Sequence, residues 1–155
     1  MKLQFPVTTI IIVSLLITLT TAENALAEDD DPAEAEPIRV VSFSIIDTET
    51  QKPIKGYDKI AKNDTIAIGK LPTKKINVRA NVSGQPGSVR FVVPEKKVNR
   101  VESKPPYSLA GDVYGRFLKW TVEPGTYTLA AIPYSSSSGR GARGEHLLVK
   151  VKFTE

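Results

Sequence analysis

Glu123-Pro-Gly-Thr-Tyr-Thr-Leu-Ala-Ala-Ile-Pro-Tyr134 is the stretch that decides the fold. Pro124-Gly125 marks a turn, and from there Tyr127, Leu129 and Ala131 recur at every second position between Thr126, Thr128 and Ala130. A period of two places these three side chains on one face of a strand, so the segment reads as a strand launched from a tight corner, one face buried and one wet.

The same period governs everything from Ile38 onward. Val41, Phe43 and Ile45 alternate with Ser42 and Ser44, Ile66 and Ile68 with Thr65 and Ala67, and Ile76, Val78 and Ala80 with Asn77, Arg79 and Asn81. Val89, Phe91 and Val93 follow against Ser88 and Arg90, and Leu147, Val149, Val151 and Phe153 close the chain against Lys150 and Lys152. Proline and glycine breakers separate these runs, and no segment carries apolar residues at helical spacing for more than two turns. Alternation of this kind belongs to antiparallel sheets with one solvated face. Strands are predicted near 39–47, 64–69, 75–82, 87–93, 97–103 (weak), 126–133 and 146–153, with a broken strand from Tyr107 to Trp120. The fold class expected is an all-β antiparallel sandwich of seven or eight strands.

Val41 to Ile54, Leu71 to Asn81, Gly87 to Phe91, Pro106-Tyr-Ser-Leu-Ala-Gly-Asp112, Trp120 and Gly125 to Tyr134 together resemble, in order and spacing, an immunoglobulin-like module. That module recurs at the C-terminal ends of large secreted bacterial proteins, often behind malectin-like or kelch-like domains. The resemblance covers nearly all of residues 40–153 and implies an accessory domain with no catalytic residues to transfer. It also makes Tyr127 the corner tyrosine of strand F, its hydroxyl turned back onto nearby backbone, with Leu129 where antibody domains carry a cysteine. Tyr107 and Trp120 match the pattern and are expected in the core. Val113-Tyr-Gly-Arg-Phe-Leu-Lys119 departs from it, being aromatic and basic where the module has small and acidic residues.

The N-terminus reads differently. Lys2, an apolar run from Val7 to Leu19 and Ala25-Leu-Ala27 form the pattern of a signal peptide over residues 1–27. A retained anchor helix and a cut after Ala22 are the alternatives; the run is shorter than the roughly 20 residues of a membrane span. Residues 28–37 read as an acidic, disordered linker, and 38–155 as the domain. Seven acids and no base lie between Glu23 and Glu36, whereas 20 of the 21 Lys and Arg and 10 of the 17 Asp and Glu lie from Ile38 on. The domain is therefore strongly basic. No cysteine is present, which excludes disulfides and thiolate metal sites.

Motifs for catalysis, phosphate binding or calcium binding are missing, and His146, the one histidine, opens the last strand with no nucleophile motif around it. Asp47 with Glu49, and Asp58 with Asp64, are acid pairs without a pocket-forming context. No enzymatic activity, cofactor or metal is expected. Two constellations remain as ligand-binding candidates. Tyr114 and Phe117, in the aromatic departure with Arg116 and Lys119, are expected to be exposed and able to stack on sugar rings. The connection Tyr134-Ser-Ser-Ser-Ser-Gly-Arg-Gly-Ala-Arg-Gly144 offers Arg140 and Arg143, whose guanidinium forks suit sulfate, carboxylate or phosphate.

The sequence thus leads to a non-catalytic, secreted binding, adhesion or matrix module, extracellular or at the cell surface, that recognises acidic polysaccharide or cell-surface glycans. Nucleic acid is not expected as a partner, nor a membrane once the signal is removed. The alternative is a subunit that self-associates through sheet edges into a fibre or coat; an inhibitor using the long loop is a third class. The mature protein should begin at or near Glu28, which N-terminal sequencing from the native host checks; a chain beginning at Met1 would overturn export.

Overall fold

In a computed structural model of the protein, residues 35–155 are described. Residues 1–27, read above as a signal segment, and the linker as far as residue 34 lie outside them. The described body contains β1 (Arg39–Asp47), β2 (Lys52–Pro53), β3 (Asp64–Ala67), β4 (Ile76–Ser83), β5 (Ser88–Val93), β6 (Val98–Glu102), β7 (Asp112–Val113), β8 (Arg116–Phe117), β9 (Gly125–Ser136), β10 (Arg140–Arg143) and β11 (Leu147–Thr154). The protein is all-β. A small sheet runs β2-β1-β4, a larger one runs β3-β11-β9-β5-β6 with β10 on β9, and β7 with β8 forms a separate hairpin. All pairings between these strands are antiparallel except that of β11 with β3.

Between the two sheets lies one apolar cluster. Phe43, Ile45, Ile76, Val78 and Ala80 from the small sheet meet Val89, Phe91, Leu129, Ala131, Val149, Val151 and Phe153 from the large one. The expected corner is present: the Tyr127 hydroxyl donates to the Glu123 carbonyl at 2.9 Å. Trp120, Tyr127 and Phe153 meet edge to face, with centroids 5.9, 5.8 and 5.8 Å apart. Outside the trio, Lys96 sits with its Nζ 5.6 Å from the Tyr127 ring centre and pairs with Glu123 at 2.5 Å. That ion pair holds the Glu123 carboxyl below its ordinary value.

The broken strand is broken by hydrogen bonding. Ala80 N bonds Tyr107 O, Leu109 N bonds Val78 O and Trp120 N bonds Ile76 O, so the segment touches the β4 edge at its two ends and leaves it between. Asn77, fully buried, explains the detour. Its Nδ2 donates to Ser108 Oγ and Gly111 O, and its Oδ1 accepts from Ala110 N, which pulls residues 108–111 over the outer side of the small sheet.

Two expectations about faces change here. The period places Val41 in the core, but a register shift between Val40 and Ser42 makes it the extra residue of a bulge. Val40 takes the buried position, and Val41 is 51% exposed. Ser42, Ser44 and Asn77, which the alternation puts on the wet face, are buried, because the small sheet's outer face is covered. Ser44 Oγ donates to Asp58 O, and Asn81 Nδ2 donates to both serine hydroxyls, so the covered polar groups are paired.

Both long edges near β1 are occupied. Residues 54–60 bond β1 on one side, through Ile54 N to Ile45 O, Ile45 N to Tyr57 O and Ile60 N to Phe43 O. Along β11 the edge is shared by β3 and by the start of β1, through Val40 N to Glu145 O and Glu145 N to Ile38 O.

Tyr127→Phe is expected to cost about 1 kcal/mol through the unpaired Glu123 carbonyl. Leu129→Ala should cost about 2–5 and Trp120→Ala about 3–5 kcal/mol. Denaturant midpoints check all three, and wild-type midpoints throughout would contradict this core.

Candidate functional site

The connection after β9 is built rather than loose. β9 continues to Ser136, a tight turn spans Ser137–Gly139 with Ser138 and Gly139 at positive φ, and β10 folds back onto β9 with Arg140 opposite Ser136 and Arg143 opposite Tyr134. Serines fasten the turn. Ser88 Oγ donates to Ser136 O and accepts from Gly139 N, Ser103 Oγ accepts from Ser138 N, and Ser135 Oγ accepts from Ala142 N. The serine run that reads as a bland loop lies in a turn that these hydroxyls hold down on β5 and β6.

Under the turn lies Arg90. On β5 it is opposite Ile132 of β9 and Val101 of β6, which puts it on the outer face of the large sheet. Its guanidinium carbon is 5.9 Å from the centre of the Tyr134 ring, a cation–π contact. The turn passes so closely that a Cβ at Gly139 would lie 2.9 Å from an Arg90 Nη. Gly139 also has φ +68°, a conformation glycine adopts without strain. Arg90 Nε is buried and donates to no acceptor among the described residues. A buried donor without a partner costs about 1–3 kcal/mol.

Arg140 and Arg143 are exposed and flank the same tyrosine from β10. Among the described residues the ion pairs are Lys75–Glu49, Lys96–Glu123 and Arg100–Glu102, and none of them includes Arg90, Arg140 or Arg143. Within this body, Arg90 over the Tyr134 ring and Arg140 and Arg143 on the adjoining strand are therefore three guanidinium groups without a carboxylate partner. Lys150 and Lys152 extend the positive charge along the exposed side of β11.

The second constellation divides. Tyr114 and Gly115 both have positive φ, +50° and +80°, as the two-residue turn of a tight hairpin requires. Asp112 accepts from Gly115 N at 2.6 Å and fixes that turn. Tyr114 is wholly exposed at the tip, and Arg116 and Lys119 are exposed beside it. Phe117, expected to be exposed, is buried at 8%. It stands opposite Asp112 on the inward side of the hairpin, and its amide donates to Gln51 Oε1 at 2.6 Å, so its ring is not available for stacking.

The two candidate groups also fail to meet. The hairpin is tied to Gln51, beyond the Asp47 end of β1. The arginine group lies by Ser88 and Ser136, on the end where Glu145 bonds Ile38 and Arg39 opposes Ser83. Nine residues of β1 separate these ends, about 25 Å at 3.3 Å per residue. The two constellations offered by the sequence thus lie on two separate surfaces. The sequence pattern does not single out Arg90, because in a strand it is simply a polar residue on the wet face. Its partner Tyr134 is visible there only as one of several aromatics.

The acid pairs have local roles. Asp47 Oδ1 accepts from Glu49 N, and Asp64 Oδ2 from Ala61 N, both within turns. Burial pushes the Asp47 carboxyl up, but the amide bonds from Glu49 and Thr50 outweigh it and leave it below the ordinary value. No group of three or more His, Asp or Glu residues is placed to hold a metal ion among the described residues. No protein-family model, curated protein or solved structure matches this chain.

Arg90→Met keeps an unbranched apolar stem on the sheet while removing the guanidinium and its unpaired Nε. Its unfolding midpoint is expected at or above that of the wild type; a loss of more than about 1 kcal/mol would mean that Arg90 holds the fold together instead.

Proposed function

We propose that this protein is a non-catalytic, exported binding module with an immunoglobulin-like sandwich, and that it recognises acidic polysaccharide or cell-surface glycans through the Arg90–Tyr134–Arg140–Arg143 patch. The observation that carries this reading is Arg90, a guanidinium fixed under a fastened turn, with a buried donor left unsatisfied and no carboxylate paired with it among the described residues. Sulfate and carboxylate groups take guanidinium forks in two parallel hydrogen bonds, and Tyr134 beside them offers an apolar surface to a sugar ring. The immunoglobulin-like part of the proposal draws support from the strand order, in which β3, β11, β9, β5 and β6 form one sheet and β1 with β4 the other, and from the Tyr127 corner. Export rests on the N-terminal sequence pattern alone.

Assembly through sheet edges is the less favoured reading. The β11 edge and the outer edge of β1 already have their backbone partners within the chain. A strand donated to either would have to displace them, which leaves β6, the far edge of the large sheet, as the place for such pairing.

Binding of the full chain to dextran sulfate and to polygalacturonate, at graded salt, tests the proposal. Arg140→Ser with Arg143→Ser should weaken binding and reduce the slope of log affinity against log salt, by about one unit for each bound cationic group removed. Arg90→Met should weaken it as well, and Lys74→Ser with Lys75→Ser should leave it unchanged. If the lysine variant fails while the arginine variants bind as the wild type does, the patch is not the site. A high-mass species on a sizing column with no polyanion binding would favour assembly.

A further inference from the structure

Exposed apolar side chains are not spread evenly over this surface. Val41, Val113, Tyr114, Leu118 and Leu148 are the large ones among the described residues, and three of these five lie within six residues of the β7–β8 hairpin. Pairing explains how they come together. Val113 is opposite Arg116 on one side of the hairpin, and Asp112 is opposite Phe117 on the other. Leu118 follows Arg116 by two residues, and its amide bonds Gly111 O, so it continues the outward side. Phe117 is turned into the body as the anchor, whereas Val113, Arg116 and Leu118 face out, with Tyr114 beyond them at the tip.

We propose that this hairpin is a membrane-docking finger that inserts Tyr114, Val113 and Leu118 into the interface of an anionic lipid bilayer while Arg116 and Lys119 meet its headgroups. The chemistry favours lipid over other occupants. Val113 and Leu118 have no hydrogen-bonding group to offer a sugar, and the tip amide of Gly115 is already taken by Asp112. Three small convex side chains fall far short of the ~800 Å² per partner that a stable protein interface buries. A tyrosine beside aliphatic residues, with two cations next to them, is instead the composition that settles at the boundary between headgroups and acyl chains. Arg116 and Lys119 are in no ion pair among the described residues, so within this body both charges are open to phosphate. The positive-φ turn and its Asp112 bond hold the tip in one shape, so little order has to be gained on binding.

This surface lies at the opposite end of β1 from the arginine patch, so the two can be tested independently. The chain contains no cysteine, and Val113→Cys therefore gives a single labelling site next to an intact Tyr114. The full chain carrying an environment-sensitive nitrobenzoxadiazole label there is titrated with phosphatidylcholine vesicles, with and without about 30% phosphatidylglycerol as the anionic probe. A hairpin label is the readout because the apolar run at residues 7–19 contributes lipid affinity of its own to any bulk measurement. Emission is expected to rise and shift to the blue on anionic vesicles and to stay unchanged on neutral ones. Arg116→Ser with Lys119→Ser should raise the lipid concentration needed by about tenfold or more. Tyr114→Ser with Leu118→Ser should abolish the shift, and Arg140→Ser with Arg143→Ser should leave it intact. A label that stays in water at saturating anionic lipid, or a shift that disappears only with Arg140 and Arg143, would overturn the proposal.

Discussion

Three aromatic rings and one hydroxyl hold the body of this protein to its shape. Trp120 comes from the end of the broken segment, Tyr127 from the start of β9 and Phe153 from the end of β11, and each meets the other two edge to face. Such pairs add about 0.5–1.5 kcal/mol each beyond their buried area. The arrangement joins both sheets, since Trp120 bonds β4 through its amide while Tyr127 and Phe153 belong to the large sheet. The Tyr127 hydroxyl then ties the corner to Glu123, four residues back, and so fixes where β9 begins. Everything that β9 positions further along, including Tyr134 and the turn over Arg90, inherits its register from that corner.

The two sheets treat their outer faces in opposite ways. Over the small sheet, residues 54–60 and 108–118 form a cover under which Ser42, Ser44 and Asn77 are hydrogen-bonded and dry. Its polar groups are satisfied within the chain. Over the large sheet the described residues place the short turn at Ser137–Gly139 at one end, where Arg90, Arg140 and Arg143 gather, and Glu95, bonded to Thr128 and close to Lys150, at the other. A group of like charges repels itself slightly and gains nothing for folding.

Arg90 sets stability against function most clearly. A leucine or methionine there would leave no donor unsatisfied, so within the body the cation–π contact with Tyr134 is what arginine gains against the cost of its unpaired Nε. The turn above it adds conformational constraint, through a glycine that must take positive φ and clear the guanidinium. Sites that break local packing rules in this way are where recognition is expected. The hairpin tip breaks a different rule, by setting Tyr114 wholly in solvent between Val113 and Leu118, which burial elsewhere in the body would have hidden.

Period-two alternation is sufficient for the class of fold and for most strand positions, because a strand with one buried face must show that period in its residues. β1 is expected at 39–47 and spans Arg39–Asp47, and the corner can be placed from Pro124-Gly125 and Tyr127. Arg140 and Arg143 are legible too, since arginines among serines and glycines after a strand point to an exposed cationic connection. What the period cannot encode is an interruption in it. The bulge that exchanges Val41 for Val40, the buried Asn77 that draws residues 108–111 off the sheet, and the hairpin turn that sends Phe117 inward each depend on a partner distant in sequence. The same holds for the separation of the two candidate surfaces. Tyr114 and Arg140 are close along the chain, yet the body places them at opposite ends, because β9 carries the chain across the sheet from the corner before the arginine turn begins.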